Sequence, residues 1–569
     1  MPNTSTRSDQ SGNPNEPLHS PQWTSVLTKD IVGGEDHLGV EGAAQSRQQY
    51  LLPGIITVTD RARYYSFYAW VLKRFLELPG SSRLIDDFKG PFFRRHEVAF
   101  IAACYSHHLD GTPLGGLIGA GVNSYKARQL WEESNSLSLD YDYFQHKLGG
   151  FGQYYRSPME EMGIIAPNKH PGWVYRLTTR GKELADAFEH SVADTSYFRA
   201  LQQKGELERI TRQAAKTYGE VACLCQQALG RGEDQELLRD AFFRFDDTST
   251  DGPHVRRRQA LGVVLDLVQG AGRKMERYML RPALYLGEYG PNLLYRPSAE
   301  IARWVARWKM VEIRHLYTFG LQNLFAAFLL YLSEQEAGLT FDRYLAWACS
   351  VLPDSNGDQT LGQYLNQLCQ AVGLNTGWIS AEDRFDTVCR QGTQRDEFTL
   401  VTQAFAGRGD AARLVNSGLR ILAQLFLRFL PRHLEQDVSW TELAYRERLP
   451  LSEFFTAFRE RATDPGCTVA DCLTWLYRDL ILGQHEFIAL EKLRFQGYDT
   501  FKFHYRDGQF YWPFFKSEDY REPIRLTGLR LNNVLTMLTD LGLVLEGSAG
   551  TYRLSADGRD YWQRVVGGK

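Results

Sequence analysis

Apolar residues recur along most of this chain at intervals of three and four, the period of amphipathic and buried helices. From Arg61 to about Leu76, the residues Tyr64, Tyr65, Phe67, Tyr68, Trp70 and Phe75 fall nearly all round one helix. That pattern predicts a buried helix capped by Thr59 or Asp60, with Arg61, Arg63, Lys73 and Arg74 snorkelling from its ends. Further helices are predicted at about 97–107 and 124–133. Behind Ser298, a long helix from Glu300 to about Ser333 carries Trp304, Trp308, Val311, Leu316 and Phe319 at core spacing. Others follow at about 361–372, 410–429 and 469–494, the last starting behind Thr468. Strand signals are short. The clearest is the alternation on either side of Asp507-Gly508, a pair suited to the two left-handed positions of a tight hairpin turn. The fold class expected is mainly α with small β-hairpins, in several domains.

One arrangement occurs twice. Glu161-Met162-Gly163-Ile164-Ile165 is followed by a turn and then Val174-Tyr175-Arg176-Leu177-Thr178-Thr179-Arg180-Gly181-Lys182. Asp540-Leu541-Gly542-Leu543-Val544 is followed by a turn and then Thr551-Tyr552-Arg553-Leu554-Ser555-Ala556-Asp557-Gly558-Arg559. In each, a glycine ends a helix, two short strands flank a turn, and Thr178 or Ser555 caps a closing helix. This order resembles the closing half of a winged-helix unit, with the strand pair as the wing. The resemblance implies two winged-helix-like modules. The organisation expected is a disordered tail (1–22), an N-terminal helical domain closing with the first module (23–190), a helical connector (191–297), a helical core domain (298–495), and a hairpin plus the second module (496–569).

Charge limits the partners. Net charge is −3 and the isoelectric point about 6.5, so no global positive field draws nucleic acid, and contacts must come from local patches. Arginine outnumbers lysine more than threefold. Arginine suits bidentate phosphate and carboxylate contacts, though GC-rich coding produces the same bias. The second module offers Arg525, Arg530, Asn532 and Asn533 around its groove-facing helix, with Arg553 and Arg559 by its wing. The first offers Arg156, Lys169, Arg176 and Arg180, but its groove-facing stretch contains Pro158 and three glycines. Arginine and asparagine can read guanine and adenine edges. DNA contact is therefore expected at 525–559, with the first module docking or structural. Glu160, Glu161, Glu183 and Asp540 lie close by as a counterweight.

Catalytic chemistry is poorly marked. No phosphate-binding GxxxxGK[ST] and no GxSxG occurs. His96 and His107 lie about 16 Å apart along one helix, so with Glu97, His108 and Asp110 they form no compact metal site. None of the eight cysteines forms a CxxC pair. Asp87-Phe88-Lys89 matches an acid-x-Lys nuclease pattern without its strand. Arg428-x4-His433 resembles the Arg-x4-His signature of HEPN ribonucleases over six residues, with the helix breaker Pro431 inside it. The apolar run from Phe319 to Leu332, at about 14 residues, is shorter than the ~20 that cross a bilayer. The expectation is a cytoplasmic, non-enzymatic subunit without metal or cofactor. It would bind double-stranded DNA and other protein subunits in a bacterial defence or mobile-element assembly, without membrane contact and with homo-oligomerisation open. A nuclease-type effector and a protein–protein adaptor are the alternatives.

Overall fold

A computed structural model describes residues 36–567, apart from 81–82, 109–113, 119–133, 144–145, 169, 171, 226–231, 273–274, 353–356, 381–384, 390–395, 430–447, 498, 514–525 and 548. The expected tail (1–22) and the helix at 124–133 lie outside the described residues, as do Lys169, Arg525 and His433. The chain is 63% helical and 7% strand, so the mainly α class holds, with small antiparallel strand pairs.

The elements that build the site, in chain order, are α1 (Glu41–Leu51), α2 (Arg63–Glu77), α3 (Pro91–His107), α4 (Arg156–Glu161), α5 (Thr179–Val192), α6 (Arg212–Ala222), α7 (Gln235–Phe243) and α8 (Pro253–Ala271). Then come β1 (Met275–Glu276), α9 (Ala299–Ser333), the hairpin β2 (His504–Arg506) and β3 (Gln509–Tyr511), α10 (Leu531–Asp540), β4 (Val544–Glu546), β5 (Thr551–Leu554) and α11 (Ala556–Val566). Asp507 and Gly508 both have positive φ, 52° and 77°, as the hairpin reading required.

The repeated sequence folds into two helix–strand–strand–helix units that match bond for bond. Gly163 and Gly542 end their helices at φ +72° and +70°. The next amide, Ile164 or Leu543, reaches back to the carbonyl of Met159 or Leu538 at 2.9 Å in both cases, closing the last turn. The strands pair in the same register, Ile165 with Leu177 and Val544 with Leu554. Thr178 accepts from the Gly181 amide at 3.1 Å, and Ser555 from the Gly558 amide at 2.9 Å. Each cap residue also donates its own amide to Ile164 or Leu543 at 3.0 Å. A Cβ on Gly181 or Gly558 would collide with that same carbonyl oxygen. The closing helix thus sits against the strand so closely that only glycine fits.

Both units gain a further backbone pairing from far upstream, an isolated bridge in the first and a short strand in the second. Leu84 bridges Trp173, just after α2. β1, just after α8, pairs with β5 through Met275–Tyr552 and Glu276–Thr551, giving the sheet order β1-β5-β4. The second unit is therefore discontinuous: its first helix and strand precede its remainder by about 250 residues of chain.

Two hydrophobic cores result, and they interleave along the sequence. The first draws on residues 51–311 and again on 529–565, so it holds both units. The second is built mainly from 313–510. α9 spans them, giving Ile301, Trp304, Trp308 and Val311 to the first and Ile313 to Leu332 to the second. α9 is long and apolar enough to cross a membrane, but 89% of its apolar window is enclosed by protein.

Gly558→Ala and Gly181→Ala are expected to destabilise the protein by roughly 1–3 kcal/mol each, the usual cost of overpacking. A lowered urea midpoint at unchanged slope would show it.

Candidate nucleic-acid interface

The helix expected to enter a groove, α10, is turned inward. Arg530 and Asn533 are each 8% exposed. The Arg530 amide donates to Gln48 Oε1 at 2.7 Å and its guanidinium to Gln49 Oε1 and the Ile55 carbonyl. Asn533 donates to the Thr57 carbonyl at 3.1 Å and to Asp60. Burial pushes the Arg530 guanidinium down to about 10. Asn532 is half-buried, and its carbonyl accepts from Arg277 at 3.0 Å. The polar face of α10 therefore reads residues 48–60 of its own chain.

Asp540 completes that grip. Its carboxylate accepts the Ala62 amide at 3.0 Å and both Nε and Nη2 of Arg61 at 2.8–3.1 Å. Burial opposes the charge on Arg61, but the Asp540 carboxylate outweighs it and holds the guanidinium above its ordinary range. The sequence expectation that Thr59 or Asp60 caps α2 is corrected here. Thr59 closes a local turn with Ile56 instead, and the acceptor at the start of α2 comes from Asp540. In the first unit Glu161 occupies the position equivalent to Asp540. It accepts the Gly54 amide and Gln49 Nε2. Equivalent carboxylates from the two units thus hold the two ends of one strap, residues 49–62.

The corresponding stretch of the first unit faces outward. Residues 151–155 form a π-helical turn running into α4. Pro158, which has no N–H to give the preceding turn, accounts for the widened bonding just upstream. Gln153 and Ser157 are exposed. Arg156 is half-buried with its guanidinium 5.9 Å from the Tyr175 ring, and Arg176, next in the chain to Tyr175, is exposed. Arg180 is partly buried near Asp246, at 3.6 Å. His170 and Trp173 approach at 6.3 Å between ring centroids, and Trp173 is 56% exposed. Arg83 joins this surface beside the Leu84–Trp173 bridge, its carbonyl accepting from the Val174 amide at 3.0 Å. In the second unit Arg553, on β5, and Arg559, on α11, are exposed.

Glu97 positions the outward stretch. This fully buried carboxylate on α3 accepts the Gly150 amide at 3.1 Å, along with the hydroxyls of Tyr68 and Tyr143. Burial pushes it up to about 7 against the lowering effect of those bonds.

Other candidates assemble differently from their sequence readings. His96 does not join His107; it packs on Phe92 and Trp70, and burial drops it to about 4. Asp86 and Lys89 pair with each other at the surface, beside exposed Asp87. Arg428 is fully buried, bound to both oxygens of Glu397 at 2.9 Å and to the Cys389 carbonyl; it is a structural arginine there, not one facing phosphate. A groove of about 1570 Å³ between Asp342 and Gln370 is lined by no histidine, lysine or arginine among the described residues. One cluster was not foreseen: His107, His108, Cys223 and Cys225 bring their ligand atoms within 4.8 Å of one another. Its sequence signals, a His-His and a Cys-x-Cys, lie more than 100 residues apart.

No protein-family profile, curated protein or solved structure matches the chain.

Asp540→Ala should leave Arg61 buried and unpaired and lower stability by roughly 3–5 kcal/mol, with a double-mutant cycle against Arg61→Met returning a large part of it as coupling. The Glu97 shift predicts a pH effect. The folded state holds the proton more tightly than the unfolded chain, so stability is highest below the ordinary carboxyl range, falls as pH rises through it, and levels off above about 7. The fall is about 3 kcal/mol in order of magnitude. The difference between wild type and Glu97→Gln, followed by urea denaturation from pH 4 to 8, should show it.

Proposed function

We propose that this protein is a non-catalytic scaffold with two winged-helix modules, of which the first contacts duplex DNA and the second is structural. The observation that carries this is the opposite orientation of the two groove-facing helices. Arg530 and Asn533 on α10 are buried against residues 48–60, whereas Gln153, Ser157 and Arg176 of the first unit are exposed. β1 and the bridge at Leu84 support the winged-helix reading, because they lie where a third strand joins the wing pair in such a sheet. This reverses the expectation from sequence, in which residues 525–559 were the DNA-facing ones. A place in the cytoplasm, within a larger bacterial defence or mobile-element assembly, fits the same proposal.

A second reading has its own support. Trp173 and Leu84, 56% and 46% exposed, stand opposite each other on the first sheet. Exposed apolar pairs of this kind suit a protein partner.

Fluorescence anisotropy with a labelled duplex across a salt series tests the proposal. Binding should weaken with salt, and Arg156→Ala and Arg176→Ala should each reduce the slope of log K against log salt by about one. Arg530→Ala should leave the slope unchanged and lower the unfolding midpoint. Absence of binding at low salt would overturn the DNA reading. Recovery of a protein partner that Trp173→Ala abolishes would then select the docking reading.

A further inference from the structure

α3 and α6 lie against each other so closely that a Cβ on Gly219 would collide with the Ala103 carbonyl oxygen. This contact brings the C-terminal end of α3, with His107 and His108, to the C-terminal end of α6, where Cys223 and Cys225 follow. The four side chains converge. Cys225 Sγ lies 3.3 Å from His107 Nδ1, and all four potential ligand atoms fall within 4.8 Å of one another. The rings of His107 and His108 meet edge to face at 5.1 Å. His108 Nε2 is buried with no hydrogen-bond partner among the described residues.

From this geometry we infer that His107, His108, Cys223 and Cys225 form a tetrahedral zinc site that pins α3 to α6. The donor set is the main reason. Two thiolates and two imidazoles are the combination that holds structural zinc, and two thiolates balance the charge of the dication. Distances agree. Zinc–sulfur bonds of about 2.3 Å and zinc–nitrogen bonds of about 2.0 Å imply donor separations of roughly 3.3–3.8 Å. The four donors already lie within 4.8 Å of one another, close to that spacing.

The surroundings suit a structural ion. Arg63, fully buried, donates to the Val221 carbonyl at 2.6 Å and the Cys223 carbonyl at 3.0 Å, fixing the turn that carries both cysteines. Cys223 is buried and the other three are partly buried. Four protein donors fill all tetrahedral positions, leaving none for substrate, so the ion would stabilise and not catalyse. Binding replaces two thiol S–H bonds with two S–Zn bonds and releases two protons to solvent; nothing is oxidised or reduced. The inference is independent of any nucleic-acid contact by the first unit, although the pinned helix α3 carries Glu97, which positions residues 150–157.

The test uses the full chain, expressed with zinc in the medium, dialysed, and measured for metal by mass spectrometry. About one zinc per chain is expected, with loss of that zinc in Cys225→Ser and in His107→Asn, and retention in Cys349→Ser. Exchange with cobalt(II) should yield tetrahedral d–d bands and a thiolate-to-cobalt charge-transfer band, which reads the site in the wild-type chain even if the variants fold poorly. Wild-type protein that keeps no zinc and gives no tetrahedral cobalt spectrum would overturn the proposal. So would a Cys223–Cys225 disulfide in freshly prepared protein, or full zinc retention in the Cys223→Ser/Cys225→Ser double variant.

Discussion

The contact on which the rest of the first core depends is the clasp of residues 49–62 between Glu161 and Asp540. Each carboxylate ends the helix before the strand pair of its own unit, and each accepts a backbone amide from the strap, Gly54 in one case and Ala62 in the other. The Arg61–Asp540 pair is almost fully buried. Such a pair gains little over an apolar alternative, yet losing one partner strands a charge in a low dielectric. Its consequence is organisational. It places the start of α2 against α10 and so joins two units nearly 400 residues apart around one core. It also occupies the face of α10 that would otherwise be open to a ligand.

Arginine does the same work elsewhere, which gives the arginine excess a structural use. Arg63 ties α2 to the turn after α6. Arg257 caps the end of α7 through the Ala241 and Phe242 carbonyls at 2.9 Å, and burial pushes it down to about 9. Arg239 reaches the Leu541 carbonyl at 2.8 Å, and Arg314 the carbonyls of Arg448 and Leu449 at 2.7 Å. A planar fork with five donors can satisfy several helix-terminal carbonyls at once, where a lysine ammonium offers a single point. Arg530 and Arg428, which read as contact residues in sequence, are internal and bonded in the same way.

Local patterns were legible in the sequence and remote ones were not. The Gly163 and Gly542 helix ends, the Thr178 and Ser555 caps, the Asp507-Gly508 hairpin and the long helix behind Ser298 all follow from residues close in the chain. β1 carries no sequence signal because it is only two residues long and lies about 275 residues before its partner β5. The cap of α2 was misassigned because Thr59 and Asp60 are near and Asp540 is 478 residues away. The orientation of α10 was also hidden. Its Arg-x-x-Asn face is polar in sequence, and only the strap of polar side chains and carbonyls at 48–60 explains how it can be buried with its groups bonded. The His-Cys cluster needed the α3–α6 contact, which no spacing rule reveals.

The central claim is that the strap and the two units form one cooperative body and not two modules joined by a linker. Native-state hydrogen exchange on the full chain measures this directly. The Ala62 amide is bonded across the clasp, and the Ile164 and Leu543 amides close the ends of the helices that carry Glu161 and Asp540. They are expected to exchange with one shared opening free energy, with the same dependence on denaturant. If the Leu543 amide and the rest of 529–566 instead open at a markedly lower free energy than residues 41–77, the second unit is an independent module and the account is contradicted.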